Sequence, residues 1–239
     1  MKKLSVVIPA YNEEERITKT LISVGEFLSK QVYDYEILVV NDGSHDKTGE
    51  VVRQAMPNVK NLQLIDNTQN HGKGWVVKQG MLAAIGDIRV FMDADNSTKI
   101  DEIAKFLPFF EQGFDIVVGS RRIAGAHVPT DQGGFREFLG WAFRTIVHIL
   151  VPVGVTDTQC GFKAMTAKAA QAIFPQQTIF RWAFDVEILS LARTKKLTIK
   201  EVPITWVNDA ASHVKLSGMI NMLLEVTEIR LNLWSGKYH

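Results

Sequence analysis

The chain of 239 residues has one cysteine, Cys160. That excludes an internal disulfide and leaves no Cys/His spacing for a structural zinc site; it also fits a reducing compartment. No run of about 18 apolar residues occurs, so no membrane-spanning helix is expected. The best candidate, from Phe138 to Val155, is interrupted by Arg144, His148 and Pro152. An excess of either charge is missing too: 27 Lys and Arg stand against 26 Asp and Glu, a net charge of +1. There is thus no overall electrostatic case for nucleic acid as a partner. The opening Met1-Lys2-Lys3-Leu4-Ser5 runs straight into an apolar strand and does not read as a signal peptide. No Gly-x-Gly-x-x-Gly follows that strand and no Walker sequence occurs, which argues against dinucleotide and P-loop sites. What is there is 46% hydrophobic and 22% charged, ordinary for a soluble globular protein of one large domain or two small ones.

Short apolar runs alternate with helical periodicity through about Ser120. Strands are expected at Leu4–Ile8 (stopped by Pro9), Tyr35–Val40, Leu62–Ile65, Ile88–Met92 and Asp115–Gly119. Helices are expected at Glu13–Leu28 with Asn12 as N-cap, from Ser44 or Asp46 to Met56, at Lys73–Ile85 and at Ile100–Phe110. This alternation argues for an α/β fold: a mostly parallel sheet with helices on both faces. The second half reads as an apolar helix at Phe135–Leu150, a turn and strand at Asp157–Thr166, helices at Ala167–Phe174 and Phe184–Lys195, and an edge strand at Thr198–Trp206 containing Pro203. A last helix, Leu216–Trp234, carries two apolar stripes. One includes Leu223, Leu224, Leu231 and Trp234; the other is Met222, Val226, Ile229 and Leu233. Such a helix needs cover from its own domain, a second subunit or a lipid surface. The expected division is a main domain at 1–215 and a C-terminal amphipathic helix at 216–239.

The expected strands end in chemistry. Phe91-Met92-Asp93-Ala94-Asp95 places two carboxylates at i and i+2 where open α/β sheets bind ligands. Mg²⁺ or Mn²⁺ takes such oxygen ligands together with water and substrate phosphate. Taken alone, the pair also fits a surface turn with Asp caps. Tyr11, beyond the first strand, offers a flat face for a base, and Asp42, ending the second, an acceptor for a base N–H. Packing and helix capping account for either residue singly; the set suits a nucleotide diphosphate. Asn70-His71-Gly72-Lys73-Gly74 permits a tight turn at a helix start, from which Lys73 can reach a phosphate. Arg136, Gly140, Arg144 and His148 recur every four residues. Arg144 and His148 read as a solvated face, Arg136 as a phosphate ligand. Asp185 and Glu187, at i and i+2 near a helix start, do not share a face. One serves as a helix-start acid and the other as an active-site acid. Cys160 reads as a packing residue.

In this order, Val6-Val-Ile-Pro-Ala-Tyr-Asn-Glu-Glu14, Val39-Val-Asn-Asp-Gly-Ser44, Asn70-His-Gly-Lys-Gly74, Asp93-Ala-Asp95 and Val118-Gly-Ser-Arg121 resemble family 2 glycosyltransferases of the GT-A fold. Asp157-Thr-Gln-Cys-Gly-Phe-Lys163 and Arg181-Trp-Ala-Phe-Asp-Val-Glu187 resemble the dolichyl-phosphate β-glucosyltransferase branch, near the polyprenyl-phosphate mannose synthases. The resemblance implies that Pro9, Tyr11, Glu13 and Asp42 contact the nucleoside. Asp93 and Asp95 would then serve ribose, diphosphate and metal, with Ser97 where relatives carry a metal-side Gln. Asn41 replaces an Asp of the second motif, and Ser212-His213-Val214-Lys215 stands for a Gly-Ser-Lys whose Lys meets the diphosphate.

The expected enzyme is a metal-dependent, inverting hexosyltransferase. It would act on a nucleotide-diphosphate sugar, UDP-glucose first and GDP-mannose second. Its acceptor would be a polyprenyl phosphate at the cytoplasmic membrane face, where the chain is peripherally held and possible self-association involves the last helix. A lipid phosphate is already anionic near neutral pH, its second pKa being about 6. It therefore needs cations that align it, for which Arg121 and Arg136 are candidates, rather than a general base. Asp185 would be the base if a sugar hydroxyl were the acceptor. The competing readings are that soluble-glycan transferase, a nucleotide-sugar-binding protein without turnover, and a nucleotidyltransferase.

Overall fold

The computed structural model describes residues 3–128, 144–207 and 216–238. Seven strands form one sheet: β1 (Lys3–Ala10), β2 (Asp34–Asp42), β3 (Leu62–Asn67), β4 (Ile88–Phe91), β5 (Ile116–Ser120), β6 (Lys163–Thr166) and β7 (Ile199–Pro203). Their order is β3-β2-β1-β4-β6-β5-β7. Every pairing is parallel except those of β6, which runs antiparallel to β4 and to β5. The helices are α1 (Ile17–Leu28), α2 (Thr48–Ala55), α3 (Lys73–Ala83), α4 (Leu107–Glu111), α5 (residues 144–150), α6 (Ala167–Ile173), α7 (Phe184–Thr194) and α8 (Leu216–Trp234).

The apolar runs are continuous because both faces of the sheet are covered. On one face Leu4, Val6 and Ile8 of β1 and Ile37 and Val39 of β2 pack with α1. On the other, Val7, Leu38, Val40 and Phe91 pack with residues of α3, α6, α7 and α8. Each such Val, Leu or Ile contributes about 1.5–3 kcal/mol by leaving water.

Some boundaries move, for local reasons. β1 continues through Pro9, which lies opposite Val40 in the parallel ladder. α1 begins at Ile17 rather than Glu13. The Glu13 N–H donates to Thr48 Oγ1 at 2.8 Å and the Glu14 N–H to Asp46 Oδ2 at 3.1 Å, so both are held at the entrance of α2. Asn12 is no helix cap; with φ of 55° its Oδ1 accepts from His45 N–H. The helix expected over Ile100–Phe110 divides into a 3₁₀ segment, Ile100–Lys105, and α4, which has Pro108 in its first turn.

α8 does not stand apart. Met222, Val226 and Ile229 are buried in the same core as β1 and β4, and so is Tyr238 beyond the helix. The Tyr238 hydroxyl donates to Glu187 at 2.7 Å and accepts from Asn232 at 3.1 Å. The other stripe leaves Leu224, Leu231 and Trp234 more than half exposed. Apolar residues thus occupy two sides of α8, so it is not divided into one apolar and one polar face. Among the described residues no helix is long and apolar enough to cross a membrane.

Candidate active site

The carboxyl ends of β1, β2 and β4 open on a cleft with a cavity volume of about 460 Å³. Pro9, Tyr11, Glu13, Asp42, Lys73, Asp93 and Asp95 all line it, so seven of the residues singled out in the sequence are brought together. Ser97, Arg121 and Asp185 do not line it. Arg136 and Lys215 lie outside the described residues.

The acidic pair follows β4 in an irregular turn. Asp95 Oδ1 accepts the Ser97 N–H at 2.9 Å. Burial raises the Asp95 pKa above its ordinary value, and neighbouring Asp93 raises it further. Lys73, at the first position of α3, is ion-paired with Asp93. Burial alone would lower the Lys73 pKa; Asp93, Asp185 and Asp95 outweigh that and raise it. Glu13 faces the same acids and is also raised, chiefly by burial. The cleft therefore concentrates negative charge that a cation relieves.

These residues fit Mg²⁺ or Mn²⁺. Two carboxylates approach from one turn, and among the described residues no group of three Asp, Glu, His or Cys assembles into a closed metal cage. An open site completed by diphosphate and water oxygens is what a hard divalent cation takes in phosphate chemistry. The Ser97 hydroxyl is buried without a hydrogen-bond partner. Its N–H orients Asp95, a role that the expectation of a metal ligand did not include.

Asp42 also holds its neighbouring loop. Its carboxylate accepts from His71 N–H at 2.7 Å, Gly72 N–H at 2.9 Å and Asn70 Nδ2 at 3.0 Å. It shapes the loop before α3 first, and one of its acceptor positions is left for a ligand. Gly72 has φ of +102°, and a Cβ there would overlap the Phe180 carbonyl, which is why the turn carries glycine. Tyr11 is half-exposed at the rim, its ring edge-on to His45.

Two predicted residues are engaged elsewhere. Arg121, following β5, is held bidentately by Asp157, with Nε to Oδ2 at 2.7 Å and Nη2 to Oδ1 at 2.8 Å. Burial would raise the Asp157 pKa, but the hydrogen bonds and charge of Arg121 hold it below the ordinary value. Arg121 also lies over the Trp206 ring, 5.4 Å from its centroid. Asp185 is 6% exposed and bound to Lys163 Nζ at 2.5 Å. Its carboxylate is engaged by a fully buried lysine and does not line the cleft. Glu187 is buried as well, accepting from Thr178, Ile179 and Tyr238. Neither acid is among the residues that line the cleft. His148 faces the carbonyl oxygens of Arg144 and Val155 with its two ring nitrogens, a structural role at the end of α5.

The sequence reading missed Arg16 and quoted Asn70, Arg181 and Trp182 only within motifs, without a role; all four also line the cleft. Arg181-Trp182 sits just before α7, and a large aromatic beside a cation at a helix entrance was the available signal. Gly161 was quoted only within its motif, yet a Cβ at this position would overlap the Asp93 carboxylate. Gly161→Ala is expected to displace Asp93 and to lower kcat/KM by about 10²-fold or more, the size of losing one aligned catalytic group. Steady-state kinetics with Mn²⁺ check this; wild-type turnover in the variant would refute the steric argument.

The glycosyl transferase family 2 model matches residues 5–174. A dolichyl-phosphate beta-glucosyltransferase of Trichomonas vaginalis is 36% identical, covering 97% of this chain and 73% of that protein. Proteins of the same name from Saccharomyces cerevisiae and Mus musculus are 34% and 33% identical, covering 98% and 99% of this chain and 76% and 78% of theirs. Among solved structures, glucosyl-3-phosphoglycerate synthase from Mycobacterium tuberculosis with uridine diphosphate superposes with a TM-score of 0.70 at 20% identity, covering 97% of this chain and 79% of that one. The same enzyme with Mn²⁺, UDP-glucose and phosphoglyceric acid gives 0.68 at 20% identity, with the same coverages. The fold, a seven-stranded and mostly parallel sheet, is accordingly similar to that of GT-A glycosyltransferase structures. With a family match over most of its length, and relatives aligned nearly end to end, the chain belongs to glycosyl transferase family 2.

Proposed function

We propose that this glycosyltransferase moves glucose from UDP-glucose, with inversion, onto a polyprenyl phosphate of the dolichyl type at a membrane surface. The carrying observation is the convergence of Tyr11, Asp42, Lys73, Asp93 and Asp95 on one cleft, in a chain whose relatives bear that activity in their names. Tyr11 and Asp42 take the uracil end. Lys73 and Arg181 take the diphosphate. A divalent cation, held by Asp93 and Asp95, supplies charge neutralisation at the leaving diphosphate.

In the reaction the anomeric carbon loses its bond to the UDP β-phosphate oxygen and gains one to an oxygen of the acceptor phosphate on the opposite face. The acceptor is already ionised, so no proton has to be removed from it. This agrees with the engagement of Asp185 by Lys163 and tells against a hydroxyl acceptor. Arg121, fixed on one side by Asp157, has its remaining guanidinium N–H groups for the acceptor phosphate. Arg136 and Lys215 are proposed as further phosphate ligands from the sequence alone. Exposed Leu224, Leu231 and Trp234 on α8, with Ile146 and Ile149 on α5, supply apolar surface for the membrane interface from which a lipid acceptor is drawn.

The test is incubation with Mn²⁺ or Mg²⁺, polyprenyl phosphate and a panel of labelled nucleotide sugars, followed by organic extraction. Label from UDP-glucose in the organic phase is expected; extraction of mannose label instead, or of none, overturns the proposal. Arg121→Ala is expected to raise the KM for polyprenyl phosphate about tenfold, the value of one charged hydrogen bond, with UDP affinity unchanged.

A further inference from the structure

One wall of the cleft is Arg181-Trp182, a short segment that belongs to no helix or strand. It is tied down on two sides. The Phe180 carbonyl accepts from Gly74 N–H at 2.8 Å and from Trp75 N–H at 3.3 Å, joining the wall to the start of α3, where Lys73 stands. On the other side Glu225 Oε2, from the middle of α8, accepts from Trp182 N–H at 3.1 Å and from Ala183 N–H at 2.8 Å.

Ala183, fully buried, is the N-cap residue of α7 and Trp182 precedes it, so neither N–H has an acceptor within the helix. A Ser, Thr or Asp side chain at the N-cap would serve N–H groups further into the first turn, not these two. Both take their acceptor from a helix some forty residues later. Trp182, by contrast, is 48% exposed and is not fixed by burial of its ring. The position of its backbone therefore depends on what its N–H binds. Glu225 is half-buried; burial raises its pKa while Ala183, Trp182 and the charge of Arg181 oppose that rise. The carboxylate is held in a costly place for the sake of this one segment.

We infer that Glu225 is a positioning residue for the donor: from α8 it fixes the Arg181-Trp182 wall, so the C-terminal helix sets donor affinity without touching the donor. This rests on the reading of the cleft as a UDP-sugar site. It makes the last helix part of the active-site architecture rather than an attachment to it.

The experiment is calorimetric titration of the full chain with UDP in the presence of Mn²⁺, alongside steady-state kinetics in donor. Glu225→Ala is expected to raise the UDP Kd about tenfold, a fraction of the value of the two charge-assisted hydrogen bonds lost, since they act on the donor only through the wall. The loss should appear in donor KM, with kcat at saturating donor within about twofold of wild type. Glu225→Gln, whose amide oxygen still accepts, is expected to stay within about threefold of the wild-type Kd. A role in stability alone would lower the melting temperature while leaving Kd unchanged, and that result overturns the inference. Equal Kd values in the Ala and Gln variants, both well above wild type, overturn it too. Should Glu225→Ala not fold, Glu225→Asp carries the test, since its carboxylate is set back by one methylene; a wild-type Kd there is again contrary. If the wild-type chain itself fails to bind UDP, it is the donor reading that has failed.

Discussion

Asp95→Asn is expected to lower kcat/KM by about 10²–10³-fold, the loss of one preorganised charge at the reacting diphosphate. The fold should not suffer. Asp95 is held where burial and Asp93 both disfavour its charge, so the neutral amide removes a strain that the wild type carries. The sign follows from proton linkage. The folded-state pKa is raised above the ordinary 3.8, so between those two values the native chain binds more protons than the unfolded one. Wild-type stability without metal therefore falls as pH rises through that window. The Asn variant has no such loss. Chemical denaturation in chelator should show little difference between the two proteins below the window and an advantage for the variant above it. Added Mn²⁺ with UDP should raise the wild-type melting temperature, because a ligand bound only by the native state stabilises it, and should do much less for the variant. A variant that turns over normally would remove Asp95 from the chemistry.

The parts legible in the sequence are those where local spacing and three-dimensional position coincide. In a parallel sheet every strand delivers its last residues to one edge. Tyr11 after β1, Asp42 at the end of β2 and Asp93 after β4 therefore had to meet, and they do. Lys73 was legible for the same reason, as a glycine-flanked residue opening a helix beside that edge. What was not legible depends on partners far along the chain. Nothing near Arg121 announces Asp157, and nothing near Asp185 announces Lys163; each pair is made by bringing the second half of the chain against β4 and β5. The start of α1 was misplaced because the N–H groups of Glu13 and Glu14 bind across to Thr48 and Asp46. Helical periodicity cannot register such a bond. α8 shows two apolar stripes in sequence, and only packing decides that the one with Val226 and Ile229 turns inward. Tyr238 returns to the core past Gly236, whose φ is 72°, and it closes on Glu187. An acid that resembled catalytic machinery is thereby a structural anchor.

Asp185→Ala is expected to destabilise the fold by about 3–5 kcal/mol, because it leaves a buried ammonium without its counter-charge. Lys163 is fully buried, its Nζ bound to Asp185 at 2.5 Å and to the Cys160 carbonyl at 2.6 Å, with the Phe91 ring 5.5 Å away. With its side chain fully buried, the charge cannot be rehydrated without opening the core. Urea denaturation followed by circular dichroism measures the loss. The pair itself need not be stabilising, since two desolvated charges cost nearly what their attraction returns. Replacing both, as Lys163→Met with Asp185→Leu, should therefore recover most of the stability lost in the single variant. Activity is a separate readout. The Lys163–Cys160 bond closes the turn that carries Gly161 against Asp93, so the double variant is expected to fold and still transfer glucose poorly. If Asp185 were instead a general base, Asp185→Ala would spare stability and abolish kcat alone. That pattern would return the residue to the chemistry and make a hydroxyl the acceptor.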